Sequence, residues 1–433
     1  MGTVVPRERG RAAPVPGAGR TAVSDAPFPW RPVLGAFALV GALLTAVVAF
    51  ASQAVPRLDP VLQGPAWLDG WFQYDAGWYY GIAAGGYSYV PGQQSSIAFF
   101  PTYPMATRGL GGLLGDYQVA GSVIGVVSGA AAVVAFGVWV WRRLPRAGAL
   151  TAIAVLMLYP YAFFLYGAMY ADSLFLLTAL GAFLLLERRM YWLAGLVGAL
   201  ATAGRPVGVA VAVGLVVRML ELRAQDRAQD RVSAGAPVRA HRGGLTGGLA
   251  VERPGWRDLV GAVTAVRWRE AGVLFSGAGL LAWAIFLWTE FGNPLAFVAV
   301  ESAPGWNQGV GPRTWFKITY LGTLIKGPYS IALLLTLQAL ACLAAVLLMR
   351  RVWRRFGWGY AAYTAMVIAI PIIGTKDFMG TGRYVLVAFP VLAAAGDYLA
   401  TTERRWLRPV VLALCGLLLI ALTTLFGRGI QVS

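Results

Sequence analysis

The chain has 433 residues, of which 58% are hydrophobic and only 13% charged, a balance that a soluble protein of this length cannot hold in solution. Apolar runs of about 14 to 26 residues recur along nearly its whole length, the pattern of many spanning helices, which excludes a soluble enzyme on a single anchor. The formal charge of +17 takes its meaning from which side of a membrane each basic residue faces.

In chain order, residues 1–30 are rich in Pro, Gly, Ala and Arg without apolar period and predict a disordered cytoplasmic tail. The stretch 32–55 is long enough to span and stay, unlike a cleaved signal peptide. Further apolar helices are predicted at 117–141, 148–165, 172–186, 190–204, 206–219, 270–289, 329–349, 356–374, 384–400 and 409–426, about eleven in all. The fold class is therefore an all-α polytopic membrane protein, with residues 31–433 as one domain. The runs 190–204 and 206–219 are short for full spans and predict a hairpin of tilted or partly re-entrant helices with Arg205 and Pro206 at its tip. Residues 220–268 read as a basic cytoplasmic linker, disordered from Glu221 to Trp256, where AQDRAQDR and two Gly-Gly pairs carry no hydrophobic period.

With a cytoplasmic N-terminus, roughly 27 of the 36 basic residues fall inside and roughly 9 outside, giving net charges near +16 and +1. The charge is thus topogenic, a face for anionic membrane lipid and not for nucleic acid. The long external loops are then 56–116 and 291–328. Two such loops favour a site at the outer membrane surface, and no internal repeat suggests an inverted-repeat transporter. Arg outnumbers Lys by about 33 to 3, and Ala, Gly and Val dominate the apolar runs. Such usage points to a high-GC bacterial source and hence to the plasma membrane.

Cys342 and Cys415 lie inside apolar runs and the single histidine, His241, in a polar stretch. Metal sites of Cys and His, and serine-histidine catalysis, therefore have no raw material. The richest external stretch is Trp67 to Tyr89, WLDGWFQYDAGWYYGIAAGGYSY. Read as a helix, it places Trp71, Tyr74, Asp75, Trp78 and Ile82 on one face, a carboxylate inside an aromatic stripe. Asp75 is either a helix cap beside an interfacial aromatic belt or a general base beside a membrane-surface cavity. Ile97 to Pro104, IAFFPTYP, is a rigid architectural element. The string LYPYAFFLYGAMYADSLF sets Tyr166, Tyr170 and Asp172 at an outer helix end, where Asp172 reads locally as a cap. Arg205, in TAGRPVG, and Arg383, in GTGRYV, approach the outer boundary at helix ends with Lys376 near the latter. Converging there, such cations suit a phosphate.

The order YDAGWYYGIAAGGY, AFFPTYP, YADSLF, Glu187-Arg188 with Trp192 four residues beyond, and GRPVG resembles the GT-C membrane mannosyltransferases, specifically those like the second mannosyltransferase of glycosylphosphatidylinositol-anchor synthesis. NPLAF near Phe291, Glu301 to Trp306 and GTGRYVLVAFP look like that family's C-terminal elements. The resemblance implies a GT-C fold with short amphipathic helices in the first external loop. It also implies transfer of mannose from a polyprenyl-phosphate carrier to a glycolipid or glycoprotein acceptor on the non-cytoplasmic side, with Asp75 as the catalytic aspartate. The chain departs from the family pattern at Tyr74, where Trp is common, and at Gly77 and Trp78. Asp172 replaces a glutamate.

Transfer from a lipid phosphate needs one base and no general acid, because the leaving group departs readily. The expected roles are Asp75 as base, Arg205, Arg383 and Lys376 as phosphate contacts, and Asp172, Tyr170, Tyr74, Trp78 and Tyr384 around the substrate. The expected outcome is inversion. No cofactor is expected beyond the sugar donor, and no DxD string demands a metal. The competing functions are a transporter or lipid flippase, moving a charged solute or glycolipid without a new glycosidic bond, and a non-catalytic assembly subunit. The sugar itself is open, since these side chains do not read hydroxyl stereochemistry.

Overall fold

A computed structural model of the chain describes residues 27–54, 62, 64–233, 254–309 and 311–433. Most of the predicted N-terminal tail and residues 234–253 of the predicted linker lie outside them. Helices and turns, without strands, make up the described residues, as lipid requires, since a helix satisfies its own backbone polar groups.

Each of the eleven predicted apolar segments contains helix. Five helices are long and apolar enough to cross a membrane: Trp30–Ser52, Tyr117–Trp141, Trp268–Phe291, Tyr329–Phe356 and Leu407–Gly427. The pair Thr381–Val387 and Phe389–Thr401, bent by 75°, makes a sixth candidate. Arg146–Leu158, Tyr191–Thr202 and Trp358–Gly374 are shorter apolar helices. The figure of eleven treats these, and the helices Asp172–Glu187 and Val209–Ser233, as spans too.

The bend has a local cause and a consequence for the site. Ala388 leaves helical geometry, with φ −73° and ψ 57°, immediately ahead of Phe389 and Pro390. Pro390 has no N–H to donate to the Leu386 carbonyl four residues back, so the helix does not run through unbroken. The Tyr363 hydroxyl donates to the Val387 carbonyl at 2.7 Å, replacing a partner lost at the break. The short arm Thr381–Val387 is thereby free to direct Arg383 and Tyr384 inward, against Asp172–Glu187 and the turn Ala162–Leu165.

The hairpin around Arg205 turns as its sequence suggests. Tyr191–Thr202 ends, Arg205 is extended (φ −157°, ψ 154°), and Pro206 opens a single 3-10 turn before Val209–Ser233. The linker reading is corrected here. Residues 221–233, expected to be disordered, continue that helix, and Trp256–Val263 forms another that packs on it. Charge pairing explains the helix where apolar period is missing. Buried Glu221 is held by Arg218 at 2.9 Å and by the Gly359 N–H at 3.3 Å, and Asp226 is gripped by both terminal nitrogens of Arg189 at 3.0 and 2.7 Å. Arg223 donates to the Ala265 carbonyl at 2.9 Å.

Small residues let these helices approach closely, as is usual where apolar burial does not separate protein from lipid. At Gly129 in Tyr117–Trp141, an added Cβ would stand 2.1 Å from the Leu165 carbonyl oxygen. This packing seats the Ala162–Leu165 turn beneath the site. Gly129→Val is therefore expected to destabilise the protein by about 1–3 kcal/mol or more through overpacking, read as a lower thermal midpoint in detergent. An unchanged midpoint would show that the contact is not confining.

Candidate functional site

Four charged side chains from segments far apart in sequence form a chain of alternating sign. Asp75 Oδ2 accepts from Arg383 Nη1 at 2.8 Å. The same Nη1 stands 3.9 Å from Asp172 Oδ2, and Asp172 Oδ1 accepts from Arg205 Nη1. Exposure is concentrated at one end of this chain: the Asp75 side chain is 31% exposed, Arg383 13%, Asp172 1% and Arg205 7%. One carboxylate is thus reachable and the other is sealed behind two guanidinium groups.

Both aspartates are the first residues of helices, Asp75–Gly85 and Asp172–Glu187, and among the described residues the hydrogen bonds their carboxylates accept come from Arg383 and Arg205. Their carboxylates lie at positive helix ends, which favours anions, but are directed to arginines instead of to the first-turn N–H groups. The cap reading of each is therefore corrected in favour of an ion pair.

The surroundings hold Asp75 firmly. The Tyr170 hydroxyl accepts from the Asp75 N–H at 3.2 Å and donates to the Gln73 carbonyl at 2.9 Å, clamping the chain on either side of Tyr74. Between those clamps Tyr74 adopts φ 50°, ψ −109°, an unfavourable conformation for a bulky residue. Its hydroxyl donates to the Gly429 carbonyl. This corrects the single aromatic face predicted from Trp71 to Ile82. The helix begins only at Asp75, while Trp71 ends the separate 3-10 turn Ala66–Trp71 and packs near Phe426. A positive φ at Tyr74 cannot belong to a right-handed helix.

Aromatic rings form the remaining walls. Arg383 lies over Tyr170 and Phe164, with centroids at 5.1 and 5.4 Å, and Arg205 over Tyr384 at 4.8 Å, contacts that favour a weakly hydrated guanidinium. Trp78, one turn beyond Asp75, stacks on Phe99 at 5.7 Å and meets Trp306 edge-on at the same distance. Lys376 does not join the charged chain. Its Nζ donates to the Trp306 carbonyl at 2.8 Å and its N–H to Gln308 Oε1 at 2.8 Å, so it fastens residues 306–308 beside Trp78.

Sequence reasoning singled out Asp75, Asp172, Arg205, Arg383, Tyr170, Tyr74, Trp78 and Tyr384, and the structure brings all of them to one region. It passed over Phe164, Tyr79 and Trp306, which carry no signal beyond being aromatic in apolar surroundings. Tyr79, buried, meets Tyr170, Tyr103 and Phe99 edge-on. The role of Glu301 was also missed. Burial first, and the negative charge of Asp75 second, push its carboxyl up to about 7. Among the described residues no three acidic, His or Cys side chains cluster as metal ligands would.

No protein-family model matches this chain, and no curated protein matches it. Among solved structures it is similar to the apo crystal structure of the Archaeoglobus fulgidus oligosaccharyltransferase, with 12% identity and a TM-score of 0.40. The likeness covers 90% of this chain and 56% of the other. The chain thus spans little more than half of that protein's length, and at this score the likeness carries no argument about fold or activity.

Two outcomes follow from the charges. Asp172→Asn leaves Arg205 buried without its charge partner, an expected loss of about 3–5 kcal/mol, whereas the apolar pair Asp172→Leu with Arg205→Met should recover most of it. Thermal unfolding of purified protein measures both, and a harmless Asp172→Asn would contradict the pairing. For Glu301, a folded-state pKa above the ordinary 4.5 means that folding takes up a proton between the two values, so stability falls as pH rises from about 4.5 to about 7. Glu301→Gln should remove that part of the slope. The same slope in both proteins would assign it elsewhere.

Proposed function

We propose that the chain is a GT-C-type inverting glycosyltransferase that moves a mannose from a polyprenyl-phosphate donor to a glycolipid or glycoprotein acceptor on the non-cytoplasmic side of the plasma membrane. The observation that carries this reading is the asymmetry of the two aspartates. Asp75 presents a partly exposed carboxylate whose Oδ1 has no hydrogen bond among the described residues, on a backbone clamped by Tyr170. That is the arrangement of a positioned base. Asp172, sealed and paired, is suited to holding Arg205 and Arg383 in place.

In this mechanism Asp75 Oδ1 takes the proton of the acceptor hydroxyl, whose oxygen attacks the anomeric carbon. The bond from that carbon to the phosphate oxygen breaks, and the phosphate leaves with the electron pair from the opposite face, which inverts the configuration. A guanidinium has five N–H donors. Arg383 directs Nη1 to Asp75, while its buried Nε has no hydrogen-bond partner among the described residues. It can therefore hold the base with one edge and offer further donors to the developing phosphate charge. Arg205, committed to Asp172 and laid on Tyr384, is assigned a positioning role in place of the direct phosphate contact expected from sequence. Lys376 acts through the wall that Trp306 and Trp78 form. Those rings and Phe99 offer flat apolar faces to a sugar.

The test is transfer of labelled mannose from polyprenyl-phosphate mannose to endogenous lipid or protein acceptors, in membranes holding equal amounts of wild type and Asp75→Asn. Loss of transfer by two or more orders of magnitude is the expected outcome for a missing general base. Equal transfer by both would remove Asp75 as base. Movement of the carrier across the bilayer without a new glycosidic bond would favour a flippase.

A further inference from the structure

A second region, remote from Asp75, has the chemistry of a ligand site. On the helix Tyr329–Phe356, the Gln338 side chain accepts from the Gly382 N–H at 3.2 Å, beside Arg383. Arg351 lies 13 residues further along the same helix, about 20 Å at the α-helical rise. There Ala344, Leu347, Leu348, Arg351, Arg354 and Arg355 follow one another at three- and four-residue spacing and line a cavity of about 690 Å³, with Arg350 and Tyr398. One face of one helix thus changes from apolar to cationic within about three turns.

The arginines fall into two pairs. Arg351 and Arg355 both donate to fully buried Asp397, at 2.7 and 2.8 Å, and Arg351 also donates to Thr401 and lies over the Tyr398 ring. Arg350 and Arg354 form no ion pair among the described residues. On the other side of Asp397, a cavity of about 540 Å³ is lined by Arg146 and Arg408. Six arginines therefore line two cavities in which Asp397 is the one acid, so most of this positive charge lacks a counterion among the described residues.

The apolar half argues for what supplies that counterion. Leu347 is 72% exposed, and Leu340, Leu343 and Val346 beside it are exposed too, a surface that acyl chains cover in a spanning helix. We propose that this cavity binds the phosphate headgroup of an anionic phospholipid, with Arg350 and Arg354 on the phosphate and the upper acyl methylenes on Ala344, Leu347 and Leu348. Asp397 fixes Arg351 and Arg355 as the cationic floor, and the phosphate oxygens meet the two arginines left over.

The full-length protein in an uncharged detergent is titrated with phosphatidylglycerol, phosphatidylcholine or inorganic phosphate while its thermal midpoint is read. Phosphatidylglycerol alone should raise the midpoint. Its half-saturating concentration should rise about thirtyfold in Arg350→Gln with Arg354→Gln, the factor for two lost arginine contacts with an anionic lipid. Should that double variant be unstable without lipid, Leu347→Glu offers the same readout from the apolar wall. Equal effects of the two lipids, or unaltered half-saturation in the variants, would overturn the proposal. Inorganic phosphate reproducing the shift at equal phosphate concentration would make the ligand a free anion and overturn the lipid.

Discussion

Charges removed from water in an apolar protein must find one another, and at the candidate site this requirement governs the placement of everything else. Removing an ion from water costs several kcal/mol even after relaxation, while two unit charges at 4 Å return about 4 kcal/mol at an effective dielectric of 20. A single pair barely balances. The chain Asp75, Arg383, Asp172, Arg205 does better because each of its inner members faces opposite charge on both sides. Asp75 and Arg383 are separated by 308 positions, so the constraint joins the first loop, the start of Asp172–Glu187, the Arg205 turn and the bent helix in one unit.

That unit explains features that otherwise look independent. The 75° bend ahead of Pro390 releases Thr381–Val387 to bring Arg383 between two carboxylates. The extended backbone at Arg205 directs its side chain back to Asp172. The Tyr170 clamp forces Tyr74 into an unfavourable conformation and in return holds Asp75 at the only member of the chain with substantial exposure. Strain at Tyr74 and rigidity at Asp75 are two results of one contact, and a rigid carboxylate is what proton abstraction from a bound hydroxyl requires.

The helix Asp172–Glu187 shows how the two ends of the bundle are related. Asp172 is its first residue and Glu187 its last, about 22 Å apart at the α-helical rise. Glu187 accepts from Arg218 at 2.8 and 3.1 Å and from the Tyr360 hydroxyl at 2.9 Å, and forms an ion pair with Arg143 at 2.9 Å. A neutralised cluster therefore closes each end of an apolar segment somewhat shorter than a bilayer's hydrocarbon core. Arginines without an ion pair among the described residues, Arg350 and Arg354, line a cavity elsewhere, beside Arg351 and Arg355, which Asp397 holds.

Apolar length is a local property, so the sequence by itself determined the helical class, the positions of the apolar helices and the candidate acids and arginines. Pairing is not local. An aspartate at a helix start reads the same whether it caps that helix or faces an arginine 308 positions away, so only the tertiary structure decided that Asp75 and Asp172 do the latter. Tertiary structure also decided where Asp75–Gly85 begins, because a hydroxyl on Tyr170 fixes the break at Tyr74. The helix through residues 221–233 was hidden for the same reason: its support comes from Arg189, Ala265 and Gly359, partners that no periodicity within the segment reveals.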